Sequence, residues 1–124
     1  MKKIQICLLV ITFITNLNAQ DYFTQAYNAY FNADLKKAEE LYTKYLGNYP
    51  NGFSAYYNRG LALFYQEKYG KAKKDFEQSI KLCPNGNTNY ISDAQKKIKE
   101  INNIFTIEAN LYSNKSYNFR TYEQ

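Results

Sequence analysis

The sequence predicts an all-α fold: a short α-solenoid of two helix-turn-helix repeats plus a C-terminal closing helix. Three observations predict it. The stretch KKAEELYTKYLGNYPNG, Lys36 to Gly52, returns in nearly the same shape as GKAKKDFEQSIKLCPNG, Gly70 to Gly86. Apolar residues within and before both stretches recur at helical spacing, three and four apart, rather than alternating as in a strand. Each copy ends on Pro-Asn-Gly, which punctuates the pattern.

The chain opens with MKKIQICLLVITFITNLNAQ. Lys2 and Lys3, an apolar run from Ile4 to Ile14 and a polar stretch ending at Ala19 predict a secretory signal peptide over residues 1–19. Its apolar core falls well short of the roughly 20 residues needed to cross a bilayer as a helix, so no membrane insertion is expected after cleavage. Cys7 precedes most of the apolar run and its neighbours do not form a lipobox. The expected product is exported, periplasmic or secreted.

Without Lys2 and Lys3 the chain keeps 14 basic and 11 acidic side chains, net +3. That mild charge on an exported chain does not point to nucleic acid. Cys83 alone remains, so no internal disulfide can form. It is read as a half-buried structural thiol. The sequence has no histidine, which removes Ser-His-Asp and Cys-His catalysis and zinc sites of the ordinary type. No enzyme, metal or cofactor is expected.

Each repeat is justified by its stripes. Tyr22, Ala26, Ala29 and Tyr30 share one helical face, as do Leu35, Ala38, Leu41, Tyr42 and Tyr45 in the next segment. Asn32-Ala33-Asp34 makes the turn between them, and Gln66-Glu67-Lys68 does so in the second copy. Ala26 with Ala38, and Gly60 with Ala72, leave room where the helices cross, and Tyr42 and Phe76 fill the space beyond. Pro50 and Pro84 disfavour helix at the residue before them, and Asn-Gly tolerates the positive φ of a sharp turn. The acidic Asp34, Glu39 and Glu40 suit a helix start. Lys71 with Asp75, Lys73 with Glu77 and Glu77 with Lys81 are i,i+4 pairs of a solvated face.

The closing helix is expected over about 88–105, with Tyr90, Ile91, Ala94, Ile98, Ile101 and Phe105 on one side. Asp93, Lys96, Lys97 and Glu100 are placed on the other. Such a helix covers the open face of the second repeat, as the end of a solenoid requires. Residues 113–124 carry little periodicity and are expected to form a flexible tail. The folded domain is thus set at 20–112.

Laying residues 19–52 over 53–86 matches Tyr22 with Tyr56, Ala26 with Gly60, Ala38 with Ala72, Tyr42 with Phe76 and Pro50 with Pro84. An aromatic at position 4, a small residue at 8, Ala at 20, an aromatic at 24 and Pro at 32 of a 34-residue period resemble the tetratricopeptide repeat family. Gln25 and Arg59 replace the Leu of position 7, and Ala29 is small for position 11. A third copy starts with Tyr90 and Ala94, then fails at Thr106 and Asn110.

The resemblance implies a non-catalytic scaffold that binds a protein or peptide segment on a concave face. The alternative is a self-associating structural subunit of an envelope assembly, a homo-oligomer. In the family that face is lined by the first helix of each repeat, at positions 2, 5, 9, 12 and 13. Those positions hold Gln20, Phe23, Tyr27, Tyr30 and Phe31 in the first copy. In the second they hold Ser54, Tyr57, Leu61, Phe64 and Tyr65, with Ile91, Gln95 and Ile98 added by the closing helix. The resemblance also implies that no terminal-carboxylate clamp is present, since the Lys of position 5 and the Asn of position 9 are missing. A contiguous aromatic surface marks a contact site. Truncating Tyr57 and Phe64 together is expected to weaken partner capture and leave helicity nearly intact.

Overall fold

A computed structural model describes the backbone of residues 2–121, with side chains described over 4–10 and 21–113. The described residues form five α-helices: α1 (Lys2–Phe31), α2 (Leu35–Asn48), α3 (Phe53–Tyr65), α4 (Tyr69–Leu82) and α5 (Thr88–Thr121). α1 pairs with α2 and α3 with α4, while α2 against α3 and α4 against α5 join the units. That is the expected all-α solenoid. α1 runs unbroken through the expected leader into the first repeat, and Ala19, where cleavage is expected, has its side chain outside the described set.

The core follows the repeat register. Ala26, Ala29, Ala38, Leu41, Tyr42 and Leu46 form the first cluster with Ala55 and Ala62. Leu63, Phe64, Ala72, Phe76, Ala94 and Ile101 form the second. Gly60 is the crossing point of the second hairpin: a Cβ there would come within 2.9 Å of the Phe76 ring. The bulk facing Gly60 is therefore Phe76 itself.

The turn inside each hairpin has a feature the sequence did not advertise. Ala33 and Glu67, at equivalent positions of the two repeats, both stand at φ 60°. Around them the Ala33 N–H donates to Tyr30 O and the Asp34 N–H to Ala29 O. The Glu67 N–H donates to Phe64 O and the Lys68 N–H to Leu63 O. Both are Schellman endings, in which a left-handed residue lets the last carbonyls of the helix find donors. The positive φ expected at both Asn-Gly pairs occurs only at Gly86, at 113°. Gly52 sits at an ordinary φ of −72°, and what it provides is room, since a Cβ there would come within 3.0 Å of Tyr45 Cε1 and 3.2 Å of Tyr49 O.

The same register position in the third copy is Ile101, which is fully buried and helical. A β-branched side chain is a strong outlier in the left-handed region. The turn is refused and α5 continues. The closing helix thus passes the expected end near 105, and the segment expected as a tail from 113 is helical as far as Thr121. Ala109 and Leu111 are good helix formers, and no Gly or Pro follows Gly86 to stop them.

Asp75, expected to pair with Lys71 on a solvated face, turns inward. Arg59 Nε donates to Asp75 Oδ2 at 2.7 Å and Nη2 to Oδ1 at 2.8 Å, a bidentate bridge across α3 and α4. Arg59 Nη1 also donates to Thr43 Oγ1 at 3.1 Å, which brings in α2. A second link joins the hairpins: Lys68 Nζ and Gln66 Nε2 both donate to Glu39 Oε2, at 2.7 and 3.0 Å. Lys73 Nζ donating to Asn102 Oδ1 repeats the Glu39–Lys68 link one repeat later, between α4 and α5.

Candidate functional site

α1, α3 and α5 lie side by side along one face of the stack, because each is the first helix of its unit. Aromatic residues at positions 5, 9, 12 and 13 of the repeat point toward that face, three or four residues apart on one side of each helix. The result is a run of rings crossing the molecule. Tyr27 meets Phe31 at 4.7 Å between centroids, Phe31 meets Tyr30 at 5.5 Å, and Tyr30 meets Tyr65 of α3 at 6.3 Å. Tyr65 meets Phe64 at 5.4 Å, Phe64 meets Tyr69 at 5.4 Å, and Tyr69 reaches Phe105 of α5 at 6.5 Å. These separations suit edge-to-face and tilted pairs.

The residues expected to line the face divide into two groups. Tyr27, Phe31 and Tyr65 are exposed, Phe31 to 66%. Tyr30 is half-buried and links Phe31 to Tyr65. Phe23 is drawn into the first core, edge-on to Tyr42 and Tyr45 at 5.5 and 5.2 Å. Tyr57 lies between Phe76 and Tyr90, at 5.8 and 5.2 Å. Leu61 packs half-buried on the second cluster, and Phe64, 8% exposed, belongs to it. The expectation that Tyr57 and Phe64 can be truncated without loss of helicity is therefore corrected. Both rings hold α3 to its neighbours.

Lys97, expected on the outer, charged side of the closing helix, points the other way. Its Nζ lies 4.2 Å from the Phe64 centroid and 5.6 Å from that of Tyr65, while donating to Glu100 Oε2 at 2.9 Å. The signal was present, since Lys97 occupies the register position of Leu63, which is buried. A cation over two ring faces is attracted by their quadrupoles. Asn58 faces the Tyr42 hydroxyl without closing a well-formed hydrogen bond.

Burial raises the Tyr30 hydroxyl pKa, helped by the neighbouring Tyr65 and Tyr57 phenols. Burial likewise raises Tyr57, with the Asp93 carboxylate next in importance. Both stay protonated at neutral pH, so the face offers neutral hydroxyls able to donate and accept. Elsewhere, Cys83 is buried with its Sγ 3.8 Å from Asn87 O, and no three His, Cys, Asp or Glu side chains gather among the described residues. No described helix is long and apolar enough to cross a membrane.

A search of curated proteins finds no match to the chain. Residues 53–85, which take in α3, its Schellman turn, α4 and Pro84, match the family model of the tetratricopeptide repeat. The hairpin that matches is stacked on a second hairpin in the same repeat register, and together they support a tetratricopeptide repeat protein.

Proposed function

We propose that the chain is a non-catalytic scaffold that holds an extended or helical segment of another protein against the face formed by α1, α3 and α5. Tetratricopeptide repeats generally mediate protein–protein interactions, and the family typically acts without catalysis. The observation that carries the reading to this face is the run of rings from Tyr27 to Phe105, accessible at Tyr27, Phe31 and Tyr65. Rigid rings supply contact area at low entropic cost, and exposed aromatic clusters are where interface energy concentrates.

The site is tested by capture from an envelope extract, with the chain and its Tyr27→Ala/Phe31→Ala/Tyr65→Ala variant as baits of equal helicity by circular dichroism. A protein retained by the first and lost by the second is the expected result. Equal retention by both removes these rings from the interface. Export rests on the leader pattern of residues 1–19, and the processed form is expected to begin at Gln20 on N-terminal sequencing. A second reading, a self-associating subunit of an envelope assembly, draws on the exposed Phe105, Ile107, Leu111 and Tyr112 of α5.

A further inference from the structure

α5 carries one apolar side along its described length, and only the first half of that side is covered. Tyr90, Ala94, Ile98 and Ile101 pack against α3 and α4. Phe105 and Tyr112 continue that side at helical spacing with Glu108 between them, and Leu111 and Ile107 extend the apolar surface around one flank of the helix. Exposure climbs outward from 39% at Phe105 to 74% at Tyr112. The opposite side carries Asn102, Asn103, Thr106, Asn110 and Ser113. An apolar stripe backed by a polar one is the pattern of a helix built to be covered.

Where α5 leaves the stack it walls an open groove of about 640 Å³ against the start of α4. Tyr69 and Phe105 floor it, and Lys68, Lys71 and Lys74 stand on its rim with Glu67. Glu108 is the one charged residue between Ile101 and Ser113 and lies on this wall. Three lysines against the two carboxylates Glu67 and Glu108 leave the lining net positive, which suits an occupant that brings an apolar stripe and a carboxylate.

We propose that the occupant is a second copy of this chain, its α5 overhang running antiparallel to the first. Each overhang then lies in the other's groove, with Glu108 of either copy against Lys71 and Lys74 of its mate. Two-fold symmetry makes a single self-complementary patch serve both copies. The exposed parts of Phe105, Ile107, Leu111 and Tyr112 amount to about 500 Å², given that large side chains bury roughly 150–250 Å² each. Two copies remove roughly 1,000 Å² from this stripe, the threshold for a specific interface. This surface shares Tyr69 and Phe105 with the far end of the ring run but not its accessible rings Tyr27, Phe31 and Tyr65.

The test is sedimentation velocity on the full chain from about 1 to 100 µM, where mass action makes a dimer concentration-dependent. A dimer is expected, and Leu111→Asp, at an exposed position, is expected to weaken it by about tenfold or more. Glu108→Lys and Lys71→Glu/Lys74→Glu should each weaken it, and their combination should recover it. Tyr27→Ala/Phe31→Ala should leave it unchanged. The proposal is overturned by a chain monomeric throughout, by a dimer indifferent to Leu111→Asp, by a charge swap without recovery, or by a dimer lost with the Tyr27/Phe31 variant. A monomer that floats with phosphatidylcholine vesicles through the same stripe assigns it to a lipid surface and overturns the proposal as well.

Discussion

Asp34 caps its own helix, its carboxylate accepting from the Lys37 N–H at 3.3 Å. In the second hairpin the same register position is Lys68, which makes no cap and reaches back to Glu39 of the first hairpin. Gln25 bonds to Asp21 on its own helix, whereas its counterpart Arg59 crosses to Asp75 on α4 and Thr43 on α2. Leu41 is buried where Asp75 is buried, and Tyr42 sits where Phe76 sits. The two hairpins share a backbone path, yet the first keeps these polar contacts local and the second directs them across helices. The second lies between two neighbours and the first has one on its α2 side. A repeat therefore fixes geometry, and the chemistry at each position is set by what stacks on either side.

The largest test of that difference converts the second hairpin toward the first. Asp75→Leu leaves Arg59 unpaired in a mostly buried place and should lower stability by about 3–5 kcal/mol, measured by urea unfolding. Arg59→Leu/Asp75→Leu should recover most of that loss, because a well-packed apolar pair can replace a buried ion pair. A double variant as unstable as the single one would show that the bridge to Thr43 matters more than the charge pair.

Next in size is the hydroxyl that separates Tyr42 from Phe76. It is buried, has no hydrogen-bond partner of good geometry, and has its pKa raised chiefly by that burial. Tyr42→Phe should gain about 1 kcal/mol, and Phe76→Tyr should lose about 1–3 kcal/mol on the same assay.

The shared turn gives a smaller and symmetric effect. Ala33→Gly and Glu67→Gly relieve a side chain held in the left-handed region. Each should stabilise by up to about 1 kcal/mol in the same unfolding assay. Unequal gains would mean that neighbours strain one turn more than the other.

The smallest effect depends on pH. Burial alone would raise the Glu39 carboxyl, but hydrogen bonds from Lys68 and Gln66, with the charges of Lys68 and Lys71, lower it below its ordinary value. Its contribution is complete above that ordinary value, near pH 4.5, and fades as the pH falls through the folded value. Lys68→Gln should cost a few tenths of a kcal/mol at neutral pH, and the gap from the parent should close in acid.

The fold was legible because its main determinants repeat. Small residues at the crossing, a ring beyond it and proline after the second helix are each visible at two places at once. The site was legible only as a set of register positions. Register puts a residue on a helix face, but it cannot say which neighbour leans over that face. Phe64 and Tyr57 are covered by Tyr69, Tyr90 and Lys97, contributions from other helices. Arg59 and Asp75 were readable in principle, since an opposite-signed pair stands at two facing positions where the first hairpin has Gln25 and Leu41. Each change looks like a lone surface substitution until the helices are set against each other.

Ile101 stands where the two earlier units reverse direction, and its side chain alone is a poor fit for that backbone. Ile101 thus opposes a third reversal, together with Thr106 and Asn110 at the positions of the crossing Ala and the second ring. A third hairpin would need a residue at 101 that accepts the left-handed region and, at 106 and 110, the small residue and the ring that close the two earlier crossings.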